Sequence, residues 1–264
     1  MNVRQYTAFL SLSLKDNLAY FKDYLISTFG RIIFYMLMVF VWNIVYTSSH
    51  ITSIAGFNLT DINAYFVIGG AAFLLIDSIN DKSISSDIQT GSISKALIRP
   101  VSYPLTVFIR SIADNLLVVP PVLLAIISAI HFLGLSITLI EVAGFIITLL
   151  IGYLIINLIQ FLVGSFAIYT TSAFGLSVLN SNIMSLLGGV VMPLTFFPSY
   201  ISNVTSLLPY QFFIYLPTSI LLGIIPQSAY LYYILLGSAW FFGIAIVTYL
   251  FWGHVKKKIS TAGG

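Results

Sequence analysis

The chain has 264 residues, of which 59% are hydrophobic and only 7% charged, with 11 Lys or Arg, 8 Asp or Glu and no cysteine. A soluble globular domain carries about 25% charged residues, so this composition excludes an ordinary water-soluble enzyme, a disordered chain and a nucleic-acid-binding protein. Zero cysteine excludes disulfides, thiolate metal sites and cysteine nucleophiles.

Residues 1–29 read as an amphipathic helix lying on a membrane surface. Leu10, Leu14, Leu18, Phe21, Leu25 and Phe29 share an arc of roughly 100° at helical periodicity. Lys15 and Lys22 flank that stripe, and Asp16 and Asp23 point away from it. The same four charges interrupt any signal-peptide core. The alternative is a partly disordered tail. Six apolar runs follow, at 32–47, 64–79, 105–133, 142–168, 176–192 and 230–252, and a bilayer core takes about 20 such residues per helix. The third carries Pro120 and Pro121 midway. Tyr230, Tyr232 and Tyr233 open the sixth, and Tyr249 and Trp252 close it, as interfacial anchors do. The expected fold is an all-α polytopic membrane protein of six spans forming a single domain over 1–264.

The basic residues sort by side. Arg4, Lys15, Lys22 and Arg31 precede or open the first run, Lys82, Lys95, Arg99 and Arg110 lie between the second and third, and Lys256, Lys257 and Lys258 follow the sixth. The connections 48–63, 134–141 and 193–229 hold no Lys or Arg. The positive-inside rule then puts both termini and the 80–104 loop in the cytoplasm of a multi-pass cell-membrane protein.

That loop reads DKSISSDIQTGSISKALIRPVSYP over 81–104. Gly91 ends one short helix, Ser92 caps the next and Pro100 stops it, which predicts about two turns over 93–99. Ile93, Leu97 and Ile98 are expected to be exposed there beside Lys95 and Arg99, a pattern suited to docking in a groove on a soluble partner. The alternative is a solvated loop whose apolar residues dip back into the interface. On the opposite side, 188–226 is uncharged and aromatic yet broken by Pro193, Pro198, Pro209, Pro217 and Pro226. No straight span tolerates that proline spacing. The expectation is a pair of short re-entrant helices over 193–226, forming either a packed cap or the rim of a pathway.

Polar residues inside the runs are few. Asp77 lies near the inner end of the second run with Asp81 one turn on, and Arg110 and Asp114 are spaced for a local ion pair. Interfacial pairs of this kind more often anchor helix ends than carry function. Asn157, Gln160, Asn180 and Asn182 are candidates for lining a polar route, with Pro193, Phe196 and Phe197 as a gate; intramembrane amides more often tie helices together. No deep carboxylate chain marks a proton relay.

At the two long loops the sequence resembles the membrane (permease) subunits of type-2 ATP-binding-cassette exporters, in the daunorubicin-permease-like branch. One passage is DIQTGSISKALIRPVSYP at 87–104, similar to that branch's acidic residue, Gly, Leu and Arg-Pro-Val-Ser series. The other is GGVVMPLTFFPSYISNVTSLLPYQFFIYLPTSILLG at 188–223, similar to its Gly, Pro, Leu-Pro-aromatic and final Leu-Gly series. Tyr210 stands where phenylalanine is commoner. The resemblance implies that 1–29 is the connecting helix. It also implies a coupling helix with Asp87, Ile88, Gly91, Ile93, Lys95, Leu97 and Arg99 against an ATPase subunit. Two ATPase subunits and a second membrane subunit, identical or paralogous, would complete the assembly, with ATP and Mg on the ATPase partner and no cofactor on this chain. The resemblance further implies export of an amphipathic, drug-like or lipid-like substrate.

The sequence contains no G-x-x-x-x-G-K-[ST], no H-E-x-x-H and no G-x-S-x-G, and His50, His131 and His254 lie far apart. ATP is therefore expected to be hydrolysed elsewhere, and the chain is expected not to be an enzyme. The rival readings are an ATP-independent carrier or channel, and a non-transporting membrane partner.

Overall fold

Apolar runs free of interior proline fold as single long helices, and proline or glycine pairs set the breaks. The computed structural model describes residues 3–19, 21–76, 80–98, 101–170 and 174–262. In chain order come α1 (Val3–Ala19), α2 (Phe21–Ser48), a hairpin of β1 (Ser53–Ile54) and β2 (Phe57–Asn58), and α3 (Leu59–Ile76). Next are α4 (Asn80–Gln89), α5 (Ser92–Ile98), α6 (Tyr103–Leu116), α7 (Val119–Phe132) and α8 (Leu139–Ser165). The remainder is α9 (Phe174–Leu187), α10 (Ser199–Thr205), α11 (Tyr215–Leu221) and α12 (Tyr230–Ala262), joined by short 3-10 turns.

Among the described residues, four helical stretches are long and apolar enough to cross a bilayer: Thr28–Ser48, Leu59–Gln89, Leu139–Ile168 and Gln227–Ile259. The expected third span is broken. α6 and α7 meet at 51°, with Pro120 and Pro121 in the first turn of α7, where their missing donors cost least. Taken as one bent span, this pair makes a fifth. The expected fifth run is helical only over the 14 residues of α9, about 21 Å against a core of about 30 Å. Beyond it, the Gly188 carbonyl accepts from the Ile214 and Tyr215 amides, so the backbone turns into the outer segment instead of continuing as helix.

The helix expected over 1–29 is described in two stretches, α1 up to Ala19 and the start of α2 from Phe21, and the part of α2 apolar enough to cross a bilayer begins at Thr28. α1 packs along α6 through Ser13, which is buried, and through Asn17, whose Nδ2 donates to Asp114 Oδ1 at 2.7 Å. Leu18, from the expected stripe, is exposed. The 48–63 connection holds a hairpin whose turn has φ 47° at Ala55 and 88° at Gly56, the sign pattern of a type I′ turn. Tyr46 Oη donates to the Phe57 carbonyl at 2.8 Å and fixes the hairpin to α2.

α8 opens with a capping box: Glu141 Oε2 accepts from the Thr138 amide at 2.6 Å and Thr138 Oγ1 from the Glu141 amide at 3.4 Å. From there it packs one face on α4, α11 and α12 and leaves another, with Ile146, Ile147 and Leu150, exposed. Phe212 of the outer segment is fully buried in the cleft between α8 and α12. A Cβ at Gly152 would lie 2.0 Å from the Phe212 carbonyl oxygen, and one at Gly237 2.6 Å from its ring. Only glycine on both helices admits that wedge. Around it Tyr65, Phe66, Ile155, Phe213 and Leu216 form the main core. A second core joins α3 to α7 through Ala64, Ile68, Val122 and Ile126. The outward faces of α2 and α12 leave apolar residues such as Met36, Phe40, Leu235 and Ile246 exposed, as in a multi-pass membrane protein.

Candidate functional site

The polar loop folds into an elbow. Gly91, at φ 73°, lets α4 stop and α5 start in a new direction. Asp87 then holds three elements together. Ser92 Oγ donates to Asp87 Oδ1 at 2.9 Å, and Tyr103 Oη, at the start of α6, donates to Asp87 Oδ2 at 2.8 Å. Ser92, expected to cap α5 by accepting, instead spends its hydroxyl on the preceding turn.

Ile93 departs most from expectation. It is 2% exposed, in a third core with Ile84, Tyr103, Phe161, Trp252 and Val255. Ala96, Leu97 and Ile88 pack against the same core half-buried, so residues 93, 96 and 97 form an inward helical face. The outward face is Ser94, Lys95 and Ile98, the last 85% exposed. Arg99 and Pro100 lie outside the described residues, as does Asp77. Trp252, expected as an interfacial anchor, is instead buried and stacked on Tyr103 with ring centroids 5.4 Å apart. α12 continues past it, and Lys258 Nζ sits 4.0 Å from the Tyr169 ring centroid.

Arg110 and Asp114 bond to other partners than each other. Arg110 donates to Ser83 Oγ at 3.0 Å, while Asp114 accepts from Asn17. The amides of the expected polar route also separate. Asn157 is buried, accepts from Asn80 Nδ2 at 2.7 Å and donates to the Tyr153 carbonyl at 2.8 Å, tying α4 to α8. Gln160 is buried one turn further along α8. Asn180 is buried in α9 against Met184 Sδ at 3.4 Å, whereas Asn182 is exposed.

The 193–226 segment packs most of its aromatic and apolar residues on the bundle, while Tyr200, Val204 and Leu207 of and beside α10 stay exposed. Pro193 and Leu194 are buried. Phe196 sits 5.0 Å from Trp42 and 5.5 Å from Phe57, centroid to centroid, and Phe197 packs half-buried on the main core. α11 is buried along its length, and Pro217 lies in its first turn, where a missing N–H costs least. Tyr65 Oη donates to the Gly189 carbonyl at 2.7 Å, joining α3 to the turn that leads into this segment. Burial pushes the Tyr215 phenol up to about 12, so it stays neutral at physiological pH.

Sequence reasoning passed over Tyr103, the Phe212 wedge and the Asn43–Asn63 amide pair, which links α2 to α3 at 2.7 Å. A tyrosine just ahead of an apolar run, and an amide within one run facing an amide just before the next, were the available signals. Among the described residues no group of three or more His, Asp or Glu is placed to hold a metal ion.

Long apolar helices around packed internal amides, with one pinned polar elbow, define a polytopic membrane protein. The chain belongs to the ABC-2 transporter family: the family described as "ABC-2 family transporter protein" matches residues 32–263. It is therefore a membrane permease component of the ATP-binding-cassette transporter class. The match begins inside α2, which leaves α1 outside it. No curated protein matches the sequence significantly.

Proposed function

We propose that the chain is the permease subunit of an exporter that uses ATP hydrolysed, with Mg, by separate ATPase subunits. It pairs with a second membrane subunit, identical or paralogous, and moves an amphipathic, drug-like or lipid-like substrate. The loop passages similar to the daunorubicin-permease-like branch support this finer reading. So does the charge distribution, with every Lys and Arg on one side of the apolar runs. In this reading α2, α3, the α6–α7 pair, α8, α9 and α12 are six spans, both termini are cytoplasmic, and 193–226 is re-entrant from outside. α1 is the connecting helix and α4–α5 the coupling elbow.

The observation that carries the proposal is the division of labour within the elbow. Asp87, Gly91 and Ile93 make it rigid, with Ile88 and Leu97 in support, while Lys95 and Ile98 remain on its free face. Closure of the ATPase subunits would press on that face, and Arg99 would extend it. Asn182, exposed on α9, would face the route between the two membrane subunits. Asn157, Gln160 and Asn180 would hold helices together, and Pro193, Phe196 and Phe197 would hold the outer closure.

The test is co-expression with a candidate ATPase subunit, comparing wild type with Lys95→Glu and Ile98→Asp. Both positions are exposed, so stability should stay within about 0.5 kcal/mol of wild type. Co-purification and ATP-dependent substrate flux should fall at least tenfold. Normal assembly and flux in both variants would refute the coupling assignment, and gradient-driven flux by the chain alone would favour an ATP-independent carrier.

A further inference from the structure

A small cleft opens where α1, the elbow and α6 meet, with Phe9, Asp87, Ser92, Lys95, Thr106 and Arg110 in its wall. It holds about 220 Å³, room enough for a phosphate group. Two cations share it, Lys95 from α5 and Arg110 from α6. Both are exposed, and neither forms an ion pair among the described residues. Arg110 spends one hydrogen bond on Ser83 Oγ, which leaves most of the N–H donors of its guanidinium open. Among the described residues the Lys95 ammonium has no hydrogen-bond partner.

The nearby carboxylates are already committed. Asp87, the acid in the wall, accepts from Ser92 on one oxygen and from Tyr103 on the other. Asp114, one turn beyond Arg110, feels its charge but accepts from Asn17 at 2.7 Å. Two cations against one carboxylate leave the wall net positive, which selects an anion. The placement of Arg110 says which kind. It lies inside the apolar run 105–133, between Phe108 and Ile109 on one side and Ile112 and Ala113 on the other. α6 and α7 together are apolar enough to count as one bent span. A cation so flanked lays its stem along apolar surface and holds its head at the membrane interface. Lipid phosphates are the abundant anions at that level. An acidic side chain of a soluble partner would instead have to enter beside α1, which already packs along α6.

We propose that this cleft binds the phosphate of an anionic phospholipid headgroup, with Arg110 and Lys95 as its counter-ions. A headgroup of single negative charge complements the wall, whereas a zwitterionic one brings a further cation to a wall already positive. Because the wall draws on α1, α5 and α6, a bound headgroup ties the N-terminal helix to the elbow. The inference goes beyond the proposed transport role, and the binding itself does not require it.

The experiment uses the full chain, purified in detergent, stripped of lipid and returned to an equal mixture of phosphatidylglycerol and phosphatidylcholine with the same acyl chains. Native mass spectrometry counts each retained lipid by its mass. Wild type should keep phosphatidylglycerol in preference. Arg110→Gln should lower that retention at least about fivefold, and Lys95→Gln should do the same should the first variant fail to fold. Lys82→Gln removes an exposed cation from the same elbow but outside the cleft, and should stay within about twofold of wild type. Unchanged retention in folded Arg110→Gln and Lys95→Gln would overturn the proposal. So would an equal loss in Lys82→Gln, which would mark general surface charge, or displacement of the lipid by inorganic phosphate alone, which would give the site to a free phosphate. If Arg110→Gln keeps its lipid but loses an ATPase subunit on co-expression, an acidic segment of that subunit holds the cleft instead. The lipid assay contains no ATPase, so its failure is separate from failure of the coupling assignment.

Discussion

Removing Asp87 should loosen the elbow by an amount the geometry sets. Asp87→Ala deletes the acceptor of two hydrogen bonds, from Tyr103 at 2.8 Å and from Ser92 at 2.9 Å. A hydrogen bond to a charged partner contributes about 1.5–3 kcal/mol, and a buried donor left unpaired costs about 1–3 kcal/mol. Tyr103 is 5% exposed, so its hydroxyl has no easy replacement partner, whereas water takes over part of the Ser92 bond. The net cost is about 3 kcal/mol, equivalent to a roughly 150-fold rise in local opening. Hydrogen–deuterium exchange over residues 84–98, with the protein in nanodiscs, measures it directly. Tyr103→Phe removes one bond and should raise opening about tenfold, or about 1.4 kcal/mol. The double variant should open less than Asp87→Ala, since removing the Tyr103 hydroxyl relieves the unpaired donor that the first change leaves buried. Additive effects, or exchange in Asp87→Ala within twofold of wild type, would refute the clamp.

Three further outcomes follow from packing and burial. Gly152→Ala puts a methyl into the Phe212 carbonyl and should cost about 1–3 kcal/mol or more by overpacking; a melting comparison with Gly243→Ala, where nothing lies within 4 Å of the added atom, isolates the clash. Ile93→Ala should destabilise the elbow by about 2–5 kcal/mol, while Ile98→Ala, at 85% exposure, should leave its exchange unchanged. The Tyr215 phenol titrates near 10 when unfolded and at about 12 in the fold. The folded state thus keeps the proton longer, so its stabilisation is complete below pH 10 and is lost as pH rises from 10 to 12. That difference corresponds to about 2.7 kcal/mol, and Tyr215→Phe should flatten this part of an alkaline melting profile.

The sequence made the long helices and the broken outer segment legible because apolar length and proline spacing act locally. It did not separate a cap from a pathway rim, because Phe196 finds Trp42 and Phe57 only once distant helices meet. The elbow was half legible. Gly91 and the helix after it are local features, but Ile93 sits beside Lys95 in the chain while facing the opposite way on the helix. The 93, 96, 97 spacing carried that information, and the neighbouring charges drew attention from it. α9 was overestimated because Val190 and Val191 extend its apolar run, although Gly188 and Gly189 have already turned the backbone. Asp114 was paired with Arg110 by spacing alone, and nothing local announces Asn17 as its partner.

The structure also constrains how a push on the elbow would travel in the proposed function. α8 is one unbroken helix of 27 residues. At its inner end Phe161 sits in the elbow core and the Gly164 carbonyl accepts from Ser85 Oγ of α4 at 3.3 Å. Two turns before its end, Asn157 is tied to Asn80, and midway along it Gly152 lies against Phe212 of the 193–226 segment. Elbow and outer segment are therefore joined through one stiff element. α6, by contrast, begins at the Asp87–Tyr103 bond but ends at the break before Val119 and the proline pair. Motion entering α6 can be absorbed at that bend, while motion entering α8 reaches the outer segment. Transport should accordingly be more sensitive to a break placed in α8, such as Leu154→Pro, than to changes at the α6–α7 junction such as Leu117→Gly. Equal loss from both, with both proteins folded, would mean that force does not run through α8.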